Sequence, residues 1–215
     1  MPLLDAYQLP DVHALLGIWE VSEPVSFFEN RLILFPEEEQ EVKTLKDRKR
    51  MEWFCSRYVL HVLSDRHVRG ACLKDKYGKP YLEGSDYHIS MSHSGERTAV
   101  IASPHRIGID IQHKVDKITR IAPRFLSESE RNDIPADDEV TFLHFYWGAK
   151  EAMYKIYGKK EVDFKKHLSL QPFIKDDQGW RSKGIISKDE NPIHCQVSAH
   201  LLDDFVLVYA WEVFE

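Results

Sequence analysis

The stretch Arg106–Lys114, RIGIDIQHK, lies at the middle of a 215-residue chain, and its reading decides the rest. In an extended backbone, successive side chains point to opposite faces. Ile107, Ile109 and Ile111 then share one face, and Gly108, Asp110 and Gln112 share the other. The first face reads as core. The second offers a carboxylate and an amide beside a glycine. That fits an edge strand with a solvated face, and it also fits a strand presenting polar atoms to a ligand.

Upstream of it, LLGIWEV (Leu15–Val21) reads as a first strand. Residues 37–64 read as helical, with Val42, Leu45, Trp53, Tyr58, Val59, Leu60 and Leu63 spaced as a core-facing stripe. KYGKPYL (Lys76–Leu82) is a turn leading into a short strand, and YHISMSHSGERTAVIAS (Tyr87–Ser103) is a hairpin reversing at Ser94-Gly95-Glu96. Downstream, KITRIAPRFLSESER (Lys117–Arg131) reads as short helical pieces. Residues 139–157 form a long helix stopped by Gly158, and strands follow at IHCQVSAHL (Ile193–Leu201) and FVLVYAWEVF (Phe205–Phe214). Helix followed by sheet thus occurs twice. The expected class is α+β. The expected arrangement is two similar α/β halves, 1–105 and 106–215, forming a pseudo-dimer within one chain, each a mainly antiparallel sheet packed on a long helix.

An apolar content of 43% is enough for a sizeable core, and no apolar run is long enough to cross a bilayer. The N-terminal MPLLDAYQLPDVH has no basic start followed by an apolar block, so no signal peptide is expected. Cys55, Cys72 and Cys195 form no CxxC pair and suit buried or free thiols in a reducing cytoplasm. A net charge of −6 argues against broad nucleic-acid binding. The charge is uneven, however: PEEEQE (Pro36–Glu41) is acidic and KTLKDRKR (Lys43–Arg50) basic. Such runs can collect an anion locally.

On a helical wheel, Phe142, Phe145, Tyr146, Ala149, Ala152, Met153 and Ile156 gather on one side. Trp147, Glu151 and Lys155, at i, i+4 and i+8, fall roughly opposite. A solvent-facing Glu–Lys pair explains the last two, but an indole belongs where something covers it.

GID (Gly108–Asp110) followed by WGAKEAMYK (Trp147–Lys155) resembles the paired motif of the 4′-phosphopantetheinyl transferase superfamily. YGKPYL resembles the family's glycine-lysine-proline turn, ISMSHSG its serine-histidine hairpin, and KRMEWFCSRYVL its arginine-bearing helix. The length is similar to that of the larger, pseudo-dimeric subgroup that activates surfactin synthetase. The resemblance implies transfer of the 4′-phosphopantetheine arm of coenzyme A to a serine of an apo acyl or peptidyl carrier protein, with adenosine 3′,5′-bisphosphate leaving. It also implies a magnesium cofactor, with manganese as a substitute, and a monomeric cytoplasmic enzyme.

Residue by residue, the resemblance assigns the metal to Asp110 and Glu151, with Glu151 also a candidate acceptor of the serine proton. Gln112 departs from the glutamate of many relatives. It keeps an acceptor oxygen without the charge, which leaves it a weak or water-mediated ligand or merely a polar strand residue. Lys155, Lys150 and Lys79 carry over as phosphate contacts. Ser92 and His93 match the pair that holds the 3′-phosphate, with Arg57, and less securely Arg50, on the first long helix. Trp147 is expected to pack under the active-site helix, and His61 and His88 have no assigned role. Lys114, Lys117, Arg120 and Arg124 form a basic patch for an acidic carrier protein, and APRFLSESE supplies apolar surface beside it. The competing reading is a non-catalytic module that binds coenzyme A or a carrier protein with a degenerate metal site. An unrelated α+β domain would have to match five ordered motifs by coincidence.

Overall fold

A computed structural model describes residues 4–214, so the first three residues of the N-terminal stretch and Glu215 lie outside the described residues. The chain divides into two compact units between His105 and Arg106. No helix among the described residues is long and apolar enough to cross a membrane.

The N-terminal unit contains β1 (Leu4–Leu9), β2 (Ala14–Glu20), α1 (Val25–Glu29), α2 (Pro36–Lys43), α3 (Asp47–Ser64), β3 (Cys72–Lys74), β4 (Pro80–Leu82), β5 (His88–Ser94) and β6 (Arg97–Ser103). The order β1-β2-β6-β5 makes an antiparallel sheet, and β3 and β4 pair separately. Trp19, Phe28, Trp53, Phe54, Val59, Leu60, Ile89 and Val100 form the core between this sheet and α3.

The single helical run expected over residues 37–64 is broken. Lys46 is extended at φ −129°, and Asp47 adopts the left-handed region at φ +48°. Aspartate visits that region at low cost. Arg50 then donates to Val42 O at 3.1 Å, a carbonyl that also accepts from Leu45 N–H at 3.1 Å, and so ties α3 back to the end of α2. A buried ion pair fixes α2: Arg69 grips both oxygens of Glu38 at 2.7 Å, and Cys72 N–H donates to Glu38 Oε1 at 3.0 Å.

The C-terminal unit contains β7 (Ile107–His113), α4 (Ile118–Phe125), α5 (Glu128–Asn132), α6 (Glu139–Tyr157), α7 (Phe164–His167), β8 (Leu168–Leu170), β9 (Ile174–Asp176), β10 (Gly179–Ile186), β11 (Ile193–Leu202) and β12 (Phe205–Val213). The sheet runs β7-β12-β11-β10-β8, with β9 paired to β10, so β7 is an edge strand. Helix α6 ends at Gly158, which takes φ +71° and donates to Tyr154 O at 2.9 Å, closing the helix as its sequence predicts. All seven residues of the apolar stripe of α6 enter the core beneath it. Both units are therefore α+β, with antiparallel sheets and one long helix each.

Candidate active site

The site begins where α6 crosses β7. A Cβ on Gly108 would lie 2.0 Å from Ala152 O, so only glycine lets the helix backbone come this close. The crossing places Asp110 and Gln112 under α6. The solvated-face reading of RIGIDIQHK is thereby corrected: Asp110 is 8% exposed, and Ile107, Ile109 and Ile111 are buried on the other face. Edge position and burial coexist because the helix covers what the sheet leaves open.

Lys155 reaches down from the last turn of α6. Its ammonium donates to Ile109 O at 2.6 Å and to Asp110 Oδ1 at 3.0 Å. Glu151, half-buried one turn earlier, feels the same charges. Burial raises its pKa to about 7; Asp110 pushes the same way and Lys155 opposes. The crossing thus unites Asp110, Glu151 and Lys155: two carboxylates close enough to repel, with one ammonium beside them. Such a pair of hard oxygen donors fits a divalent cation of the magnesium type, whose charge relieves the repulsion.

Gln112 is placed differently from the ligand reading. Its Oε1 lies 2.7 Å from His144 Nδ1, and its Nε2 donates to His144 O at 3.2 Å and to Asp110 Oδ2 at 3.3 Å. The amide turns its N–H side, not its oxygen, toward Asp110. Burial lowers the pKa of His144 and favours the neutral imidazole. His144 carries no motif signal. It could be found only by noticing that it lies one turn before Gly148, on the face of α6 that glycine opens to β7.

Lys150 also differs from expectation. It is fully buried, and its ammonium donates to Phe125 O at 2.7 Å, Glu130 Oε2 at 2.8 Å and Phe164 O at 3.0 Å. All three of its donors are used inside the unit, so Lys150 is a structural cation rather than a phosphate contact. Glu130 joins the same knot, accepting from Ser127 N–H at 2.8 Å and Leu170 N–H at 3.0 Å. Trp147 packs as expected, edge-on to Phe125 at 5.1 Å and tilted against Phe164 at 5.6 Å.

In the N-terminal unit, Arg57 is 5% exposed and lies 4.3 Å from the centre of the Trp53 ring. Glu41 stands 3.8 Å from its Nη2, yet neither Nε nor Nη2 has a hydrogen-bond partner among the described residues. His93 pairs with Glu52 at 2.8 Å, on the α3 side of β5, where Met91 Sδ also meets Arg57 at 4.0 Å. Ser92 is buried, and strand alternation turns it to the opposite face from His93, so the expected side-chain pair is split. Arg50 is held by Glu29 at 2.6 and 2.9 Å, a structural tie between α1 and α3. Lys79 sits in the turn before β4, its N–H on Asp75 Oδ1 at 2.9 Å.

The thiols are buried, and burial pushes Cys55 and Cys195 up to about 12 and raises Cys72. They are poor nucleophiles.

A family model described as the 4′-phosphopantetheinyl transferase superfamily matches residues 106–210. The 4′-phosphopantetheinyl transferase gsp of Aneurinibacillus migulanus is 30% identical over 111 residues, 50% of this chain and 46% of the relative. The 4′-phosphopantetheinyl transferase Sfp of Bacillus subtilis (strain 168) is 34% identical over 88 residues, 39% of each chain. The 4′-phosphopantetheinyl transferase psf-1 of Bacillus pumilus is 33% identical over 86 residues, 38% of this chain and 37% of the relative. The chain spans less than half the length of the curated relatives it matches. The matched segment contains Asp110, Glu151 and Lys155, and over this C-terminal half the chain is similar to the 4′-phosphopantetheinyl transferase superfamily.

Proposed function

We propose that this chain transfers the 4′-phosphopantetheine arm of coenzyme A to the serine of an apo acyl or peptidyl carrier protein, releasing adenosine 3′,5′-bisphosphate. The observation that carries this reading is the α6–β7 crossing, which brings Asp110, Glu151 and Lys155 to one place. Phosphoryl transfer is largely positioning and charge neutralisation, and a cluster of carboxylates beside a lysine suits both.

Asp110 and Glu151 would hold a magnesium ion, or manganese in its place, and the ion supplies charge stabilisation at the pyrophosphate. Lys155 keeps one N–H beyond the two that go to Ile109 O and Asp110 Oδ1, and this one would reach a phosphate oxygen. Glu151 is also the candidate acceptor of the serine proton, directly or through water. For the 3′-phosphate, the buried guanidinium of Arg57 and the nearby His93 are the candidates in the N-terminal half. A second lysine at the phosphates is Lys79; Lys150 is not used.

The carrier protein is assigned to the surface after β7. Lys117, Arg120 and Arg124 are exposed along one side of α4, and Val115 beside them is 45% exposed. This local basic face suits an acidic partner despite the net charge of −6. The enzyme is proposed to act as a cytoplasmic monomer.

The test is direct. The protein is incubated with coenzyme A, magnesium and an apo carrier protein, and the carrier is weighed by mass spectrometry. The carrier is expected to gain the mass of one phosphopantetheine arm. Binding of coenzyme A with no gain across a panel of fatty-acid, polyketide and peptide carriers would establish the non-catalytic module instead.

A further inference from the structure

We infer that Gln112 is not a ligand of the divalent cation but the positioning residue that orients Asp110 toward it, and that His144 fixes the amide for this task. The inference rests on the reading above that Asp110 and Glu151 hold the cation. His144 Nε2 lies 3.0 Å from Val115 N and 3.2 Å from Val115 O, so the amide is what settles the ring: His144 O can only accept, the end of Gln112 facing it at 3.2 Å is therefore –NH2, and the Oε1 left facing Nδ1 requires the ring proton there. Nδ1–H then donates to Gln112 Oε1 at 2.7 Å. With its oxygen engaged, the amide must turn its –NH2 group to His144 O and Asp110 Oδ2. Asp110 is consequently held from two sides, Oδ1 by Lys155 and Oδ2 by Gln112. An –NH2 group faces no cation, so the protein donates two carboxylates and leaves the remaining positions to water and phosphate, as magnesium prefers.

Gly148 shows that this arrangement is built in. A Cβ there would lie 2.8 Å from Gln112 Nε2 and 2.7 Å from Val208 Cγ2, so the glycine of WGAKE makes the space in which the amide lies.

Hydrogen-bonded partners behind metal ligands typically contribute 10–100-fold in affinity. The experiment is a titration of Mn2+ onto folded protein without coenzyme A, with free Mn2+ read by electron paramagnetic resonance. Asp110→Ala is expected to lose binding; wild-type affinity in that variant overturns the metal site and this inference with it. His144→Phe and His144→Leu, which remove the Nδ1–H, are expected to weaken Mn2+ binding about 10–100-fold. His144→Asn, which can present an N–H where Nδ1–H was, is expected to restore it to within about threefold of wild type. Unchanged or tighter binding in His144→Phe or His144→Leu, while Asp110→Ala loses it, overturns the positioning role and leaves the metal site standing. A measurement on the wild-type protein needs no variant. The His144 Nδ1–H proton should stay hydrogen-bonded and visible by nuclear magnetic resonance at saturating magnesium. Its loss on adding magnesium would mean that the amide had turned its oxygen to the ion, contradicting the inference.

Discussion

Each half of the molecule lays its long helix across a strand that carries a glycine, and the two crossings are filled in opposite ways. In the N-terminal half the strand reads Gly17-Ile18-Trp19; in the C-terminal half it reads Gly108-Ile109-Asp110. Gly17 lies beneath side chains of α3: a Cβ there would meet Val59 Cγ1 at 2.8 Å and Leu63 Cδ1 at 3.1 Å. Gly108 lies beneath helix backbone, with Ala152 O at 2.0 Å from the same hypothetical atom. Two residues on, Trp19 packs edge-on to Tyr58 at 5.2 Å and to Phe28 at 6.0 Å. Asp110, at the matching place, meets Lys155 instead. One construction thus serves twice. Filled with aromatic rings it stabilises a half; filled with charge and approached more closely, it makes the centre proposed for the reaction.

The contrast is sharpest at the glycines. Gly108→Ala is expected to cost more than about 3 kcal/mol, because a helix backbone must move rather than a side chain. Gly17→Ala should cost about 1–2 kcal/mol, since the ends of Val59 and Leu63 can shift. Chemical denaturation of both variants checks the ranking, and equal losses would break the comparison.

A second contrast lies within α6, between two lysines five residues apart in the same motif. Lys150→Met leaves Glu130 buried without its cation and is expected to destabilise by about 3–5 kcal/mol. Lys155→Ala, at a partly exposed position, should lower the melting temperature less than Lys150→Met does while raising the requirement for coenzyme A. Thermal melts and coenzyme A titrations of the two variants separate a structural lysine from a site lysine. The reverse pattern would return Lys150 to the phosphates.

The third effect is smaller and depends on pH. Folding raises the pKa of Glu151 from its ordinary 4.5 to about 7. Between those values the folded chain keeps a proton that the unfolded chain has released. Its stability contribution is therefore fully present below about pH 4.5 and declines as pH rises to about 7, by roughly 2–3 kcal/mol after allowance for partial exposure. Metal-free stability curves for the wild type and Glu151→Gln measure this, and the variant should lack the decline. Among the described residues no buried carboxylate occupies the crossing in the N-terminal half, so replacing Trp19 there should leave the pH slope unaltered.

The parts of the fold that were legible in the sequence are those fixed by local chemistry. Gly158 ended α6 where its φ requirement falls, Gly95 took φ +58° in the β5–β6 turn, and the apolar stripe of α6 faced the core. The Asp110–Glu151–Lys155 cluster was expected from the family resemblance carried by two spaced motifs; strand and helix periodicity gave only the face of each element. Three features depended on distant partners and could not be read. The α2–α3 break lies in the left-handed Asp47, and Arg50 bridges it to Val42 O, a contact made only once both helices are placed. Lys150 was expected at the phosphates because the family resemblance carries it there, although its place at the margin of the apolar arc already suited a core-edge lysine. Its actual partners are Glu130 and the carbonyls of Phe125 and Phe164, which no periodicity brings near. Gln112 was read as an acceptor, but which end of an amide faces inward is decided by its neighbours, here His144 from another element.

The central claim is that the α6–β7 crossing is the reaction centre, and replacing its two carboxylates one at a time tests this most directly. Transfer to an apo carrier protein is measured for Asp110→Ala and Glu151→Ala at saturating magnesium, alongside their melting curves. The account predicts folded proteins in which transfer falls by about a thousandfold or more. Wild-type turnover in both variants would contradict it.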